Sequence, residues 1–197
     1  MGATESSRGR ERILSTAGRL FYERGFGAVG VVLIVAEAGV AKTTLYRHFP
    51  SKDDLIVAWL ERANAEFLGW LDDVVDSEVA PARRLATLFE AAEHLATSPT
   101  CLGCTFQVSA AEFPDVSHPV HAVAVAHKEA VRARLHHLAA EAGSGDPAVL
   151  GDGLLLLLEG AFAATRMYGT DSPASALAAT AGALIRQGTR RRAPARR

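Results

Sequence analysis

A chain of 197 residues that is 49 % hydrophobic and 22 % charged has apolar material for one or two ordinary cores, which sets intrinsic disorder aside. Its formal net charge of −1 hides a partition. Residues 1–52 carry +4, residues 53–185 carry −11 and residues 186–197 carry +6, so a basic end suited to a polyanion adjoins an acidic, solvated body.

Only two cysteines are present, Cys101 and Cys104, which leaves no disulfide framework and predicts a cytoplasmic protein. Met1 to Arg12 interleaves small polar residues with three arginines and lacks the apolar segment of a secretory signal. There is no uninterrupted run of about 18 apolar residues. The best candidate, Leu154 to Leu158, is closed by Asp152 and Glu159, reads as a buried helix, and leaves no membrane partner expected. Alanine and leucine dominate and β-branched residues seldom alternate with polar ones, so the chain is predicted to be all-α.

In chain order, residues 10–24 place Ile13, Ala17, Leu20 and Phe21 at i, i+4, i+7 and i+8, one apolar face of a helix that Gly25 stops. After a glycine-containing link, the apolar run Val31 to Ala38 is strand or helix by composition alone. Gly39 can turn the chain in the left-handed conformation, Val40 plugs the turn, and residues 42–48 form a second short helix with Leu45 and Phe49 inward. Two short helices joined in this way make a helix-turn-helix, which settles the first run as helical. Ser51 is a candidate N-cap, with Asp53 and Asp54 in the first turn of a long helix through Leu55, Trp59, Ala63 and Phe67 towards Val75. Helices follow at 81–96, with Leu85, Leu88, Phe89 and Leu95 inward, at 104–112 and at 119–142. Two more, at 147–168 and 173–187, each begin on a proline. The stretch RRRAPARR, residues 190–197, reads as a disordered basic tail.

The second helix of a helix-turn-helix enters the major groove, so its outer face must reach phosphates and base edges while its inner face holds the scaffold. Leu45 and Phe49 supply the inner face; Lys42, Thr43, Thr44, Tyr46, Arg47 and His48 remain on or near the outer one, and Lys52 heads the next helix. The stretches RERILSTAGRLFYERG and IVAEAGVAKTTLYRHFPSKDDL set several residue types at fixed spacing over about fifty positions. In this the region from Arg10 to Leu60 resembles the DNA-binding domain of the tetracycline-repressor (TetR) family of transcriptional regulators. The resemblance implies that Thr44, Tyr46 and Lys52 grip phosphates, that Lys42 and Thr43 approach base edges, and that His48 touches the DNA backbone. The chain departs from the family where hydroxyl residues usually cap the two short helices: Val29-Gly30 and Ala41 stand there instead, and each missing cap removes about 1 kcal/mol of support.

The resemblance further implies a DNA-binding domain over residues 8–52 and a ligand-binding and dimerisation domain over 53–189, the homodimer forming through the last two helices. Their small residues, Gly160, Ala161, Ala163, Ala164, Ala178, Ala179, Ala181 and Ala183, permit close contact in a four-helix interface. Two groove-reading helices related by a two-fold axis require a near-palindromic operator. The expected protein is a repressor released from double-stranded DNA by a small apolar or amphipathic effector. Candidate pocket walls are Phe67, Trp70, Phe89, Phe106, Phe113, Phe162, Met167 and Tyr168, although most aromatic residues of this kind serve as core. Two alternatives remain open: a redox-sensing regulator using Cys101 and Cys104, and a helical interaction protein with a vestigial DNA-binding motif. A single CxxC allows a packing role, a thiol sensor or half a metal site. The histidines do not share a helix face with suitable partners, and no catalytic triad order, phosphate-cradling glycine loop or HExxH pair is visible. No enzyme activity, cofactor or metal is therefore expected.

Overall fold

The structure, a computed structural model, describes residues 2–190; beyond Arg190 the expected basic tail lies outside the described residues. Among the described residues nine α-helices run in the order α1 (Gly2–Arg24), α2 (Val31–Ala38), α3 (Lys42–His48), α4 (Lys52–Asp76), α5 (Pro81–Ala96), α6 (Thr105–Glu112), α7 (Pro119–Glu141), α8 (Pro147–Tyr168) and α9 (Leu177–Thr189), and there is no strand. The contacts divide the chain into two compact units, residues 1–66 with 105–127, and residues 67–104 with 128–197. Neither unit is a continuous segment, because α4 and α7 each contribute to both.

In the first unit α1 starts well before Arg10, where the apolar periodicity begins. The sequence of residues 2–9 has no apolar period, but an established helix propagates at one hydrogen bond per residue without a second nucleation cost. Ile13, Ala17, Leu20 and Phe21 are buried as the spacing requires, and Gly25, at φ 81°, closes the helix by donating to the Phe21 carbonyl at 2.9 Å. Phe21, Phe26 and Trp59 form an aromatic cluster with ring centroids 5.3–5.9 Å apart, and Phe113 meets Phe26 edge-on at 6.0 Å. Gly18 makes room for this cluster: a Cβ there would lie 2.0 Å from Trp59 Nε1. Ser51 caps α4 as expected, its Oγ accepting from the Asp54 amide at 3.0 Å.

In the second unit α5, α8, α9 and the later turns of α7 enclose a core of Leu85, Phe89, Leu135, Leu154 and Ala181. Leu95 is 38 % exposed rather than inward, because the buried series 85, 88, 89, 92, 96 leaves position 95 off the face. The expected final helix at 173–187 opens instead as a 3-10 turn, Pro173–Ala176, before α9 begins at Leu177, and a separate 3-10 turn, Gly169–Asp171, precedes it. Buried Ser172 separates the two 3-10 turns and caps the second: its backbone is extended and its Oγ accepts from the Ala174 amide at 3.1 Å. The stretch 147–171 reaches a mean hydropathy of 1.6 over eighteen residues, long and apolar enough by composition to cross a membrane. In this unit α8 uses that apolarity for packing, with Leu150, Leu154, Leu158 and Phe162 buried.

A polar network flanks the same helix. Arg132 holds Asp152 through two hydrogen bonds of 2.6 and 2.8 Å, and His136 Nε2 lies 2.7 Å from the same carboxylate. The hydrogen bonds from Arg132, and then those from His136, keep the Asp152 carboxyl well below the usual carboxylate range.

Two expectations follow. Gly18→Ala gains helix propensity of up to about 1 kcal/mol, but displacing the Trp59 indole costs about 1–3 kcal/mol, so thermal unfolding followed by circular dichroism should show a lower melting temperature. A variant that melts higher would show that the indole has room to move. For Asp152, the folded state favours the ionised carboxylate, so its contribution is complete above the unfolded value near pH 4 and is lost as pH falls towards the depressed folded value. Asp152→Asn should therefore melt below the wild type at pH 7, with the gap closing below about pH 4. An equal gap at pH 3 and pH 7 would assign the effect to packing.

Candidate nucleic-acid interface

The helix-turn-helix is assembled with few local aids. Gly30 and Ala41 occupy the N-cap positions of α2 and α3 in extended conformation, and neither helix has a side-chain cap. The turn is made by Gly39 at φ 60°, where the left-handed backbone costs glycine nothing, and the Val40 amide returns to the Val35 carbonyl at 3.1 Å. Burial does the anchoring: Leu45 is 0 % and Phe49 3 % exposed.

That anchoring leaves Lys42, Thr43, Tyr46 and Arg47 exposed together on one side of α3. The Lys42 ammonium lies 5.8 Å from the centre of the Tyr46 ring. Thr44 and His48 are half-buried, and His48 Nε2 is enclosed without a hydrogen-bond partner among the described residues. Lys52 is also half-buried, and its ammonium donates to the Phe26 carbonyl at 2.6 Å.

Three residues that hold this region in place were missed by sequence reasoning. Arg12 of α1 donates from Nη2 to the carbonyls of Ala38 and Gly39, gathering the end of α2 and the turn. Arg10 stacks over Phe49 at 5.1 Å. Glu112, the last residue of α6, accepts from the amides of Phe26 at 3.1 Å and Gly27 at 2.6 Å. The arginines carried a signal in their i, i+2 placement beside the motif; Glu112, more than eighty positions from its partners, carried none.

The candidate pocket residues separate. Phe67, Trp70 and Phe89 line one apolar cavity in the second unit, whose remaining wall is aliphatic, including Leu88, Val131 and Leu158. The cavity is about 10 Å³, room for a single water. Phe162 is buried in the same unit but away from that wall. Phe106 belongs to the first unit, stacked on His127 with centroids 3.6 Å apart, and Phe113 packs on Phe26 and His118 there. Met167 and Tyr168 are 76 % and 58 % exposed, since the inward series of α8 through Leu158, Phe162 and Thr165 turns the last positions outward. Cys101 and Cys104 are free thiols; the Lys128 ammonium contacts Cys104 Sγ at 3.2 Å and Glu159 at 2.6 Å.

The sequence model of "Bacterial regulatory proteins, tetR family" matches residues 13–59, the segment from α1 into α4. A TetR-family transcriptional regulator from Streptomyces coelicolor, SCO4454, is 33 % identical with a TM-score of 0.89, over 93 % of this chain and 97 % of that one. The chain belongs to the TetR family. By family it is a DNA-binding transcriptional regulator and not an enzyme. The HTH-type transcriptional repressor KstR2 of Mycobacterium tuberculosis is 39 % identical over 101 residues, 47 % of this chain and 48 % of that protein. The chain thus matches about half the length of this curated relative. A TetR-family regulator from Agrobacterium tumefaciens shares the fold at TM-score 0.79 with 18 % identity, over 93 % of this chain and 99 % of that one. Regulators of the TetR family bind operator DNA and form dimers.

Glu112→Ala would leave the Phe26 and Gly27 amides without their acceptor, a loss of about 1–3 kcal/mol for the buried one. Hydrogen exchange at these two amides should accelerate at least tenfold; unchanged protection would mean that another acceptor replaces the carboxylate.

Proposed function

We propose that this TetR-family protein is a cytoplasmic homodimeric repressor that leaves a near-palindromic operator when a small apolar or amphipathic ligand binds. The observation that carries the reading is the exposed polar side of α3, held outward by the burial of Leu45 and Phe49. In this reading residues 8–52 bind DNA. Lys42 and Thr43 approach base edges, Arg47 adds charge, Thr44 and Tyr46 meet phosphates, and His48 meets the backbone. Lys52 has three donors, so its bond to Phe26 leaves two for a phosphate.

Residues 53–189 take the ligand and the partner protomer. The cavity beside Phe67, Trp70 and Phe89 has apolar walls and selects an uncharged or amphipathic guest. Dimerisation is supported by an exposed stripe of apolar and small residues on α8, Leu156, Gly160, Ala163 and Met167, at spacings of three and four. Ala176, Ala179 and Ala183 continue it on the last segment, whereas Ala161 and Ala181 point into the unit's own core. Repression is supported by the similarity to KstR2, itself named a repressor.

The test is selection of binding sites from random duplexes, followed by fluorescence anisotropy across a salt series. The expected outcome is a near-palindromic site, bound with a steep salt dependence by a dimer, and an affinity at least tenfold lower for Tyr46→Ala. Apolar compounds that release the DNA should also change the emission of Trp70. Recovery of an asymmetric site bound by a monomer would overturn the reading.

A further inference from the structure

The family match begins at residue 13, yet α1 begins at Gly2, so about three turns of helix precede the matched segment. The turn that carries Gly9 packs beside α3. A Cβ on Gly9 would lie 3.8 Å from His48 Nε2 and 3.9 Å from Thr44 Cγ2, which places the bare backbone of α1 against the flank of α3. A methyl group would just fit there; a longer side chain would push the two helices apart.

Two arginines bracket that glycine. Neighbouring residues on a helix point about 100° apart, so Arg8 and Arg10 leave Gly9 on opposite sides. On one side the Arg10 guanidinium lies over Phe49, just past the end of α3. On the other, Arg12 reaches the turn carbonyls of Ala38 and Gly39, and exposed Arg8 sits one turn earlier on the same face. Glu11, the single carboxylate among residues 7–12, points elsewhere and pairs with Arg62. A cationic edge therefore runs along the flank of α3 that carries Thr44 and His48, the side next to exposed Thr43 and Arg47.

We propose that the N-terminal turns of α1 form a second DNA-contacting element, in which Arg8 binds a backbone phosphate flanking the groove that α3 enters. The inference rests on the reading of α3 as the recognition helix, and it adds an anchor that is indifferent to base sequence. The guanidinium suits that role because its planar fork of donors matches two phosphate oxygens and stays charged at any physiological pH. Gly9 sets the reach, since close seating of α1 on α3 carries Arg8 alongside the DNA-facing groups.

The experiment compares wild type with Arg8→Gln on the selected duplex and on a scrambled one, by anisotropy across a salt series and by phosphate-ethylation interference. The expected result is roughly tenfold weaker binding to both duplexes, with selectivity between them unchanged. The slope of log affinity against log salt should fall by about 0.9 for each phosphate no longer neutralised, close to 2 for a dimer presenting two copies. Interference at one phosphate in each half-site, outside the groove read by α3, should disappear, while the melting temperature stays the same. If the wild type binds selectively and the variant keeps its slope and its interference pattern, the proposal is overturned and the recognition-helix reading stands. A change of selectivity between the duplexes would also overturn it, since Arg8 would then be reading bases. A wild type with no salt-dependent duplex binding would overturn both.

Discussion

Burial of Leu45 and Phe49 is the interaction on which every outward-facing group of α3 depends. A helix of seven residues is far below the length, about 12–15, at which isolated helices hold themselves in water. The side-chain caps that would help are absent from both α2 and α3, a deficit of about 1 kcal/mol each. Two fully buried large side chains contribute about 3–6 kcal/mol, more than the caps withhold. The recognition helix is thus a surface feature maintained by tertiary packing, and its orientation is that of the core beneath it.

Charge in the first unit is divided between construction and contact. Arg12, Lys52 and Glu112 direct their hydrogen bonds to backbone groups of the turn and of the Phe26–Gly27 link, where each satisfies groups that an irregular chain would leave open. Lys42 and Arg47 remain on the surface. The excess of +4 over residues 1–52 therefore overstates the charge offered outward by α3 and its neighbours, and the distinction rests on where each carbonyl lies.

Helix type and order were legible wherever a period of 3.6 met a clear stop. Gly39 and the inward pair Leu45 and Phe49 located the turn and the recognition helix to the residue, and Pro81 and Pro147 marked the starts of α5 and α8. The start of α1 was not legible, since residues 2–9 lack an apolar period, nor was the 3-10 turn that opens the last segment, which buried Ser172 caps. The aromatic candidates divide between the cavity and the cores. Phe106 and Phe113 serve the first unit's packing, and aliphatic positions such as Val131 and Leu158, indistinguishable in sequence from any core residue, complete the wall around Phe67 and Trp70. Composition identifies which side chains are buried; only the three-dimensional path decides which of them leave a gap.

The near-closure of that cavity bears on how an effector would be measured out. With space for one water, the cavity around Phe67, Trp70 and Phe89 has no vacancy for a drug-sized guest, and in the proposed reading such a guest would wait for, or force, a rarer expanded form. Apparent affinity then equals intrinsic affinity scaled by the fraction already expanded; if that were about one molecule in a hundred, the concentration needed for response would rise about a hundredfold. In the proposed reading, in which the effector enters there, the resting packing around Phe67, Trp70 and Phe89 would act as a threshold, screening out compounds present at background levels even when their fit to the open form is good.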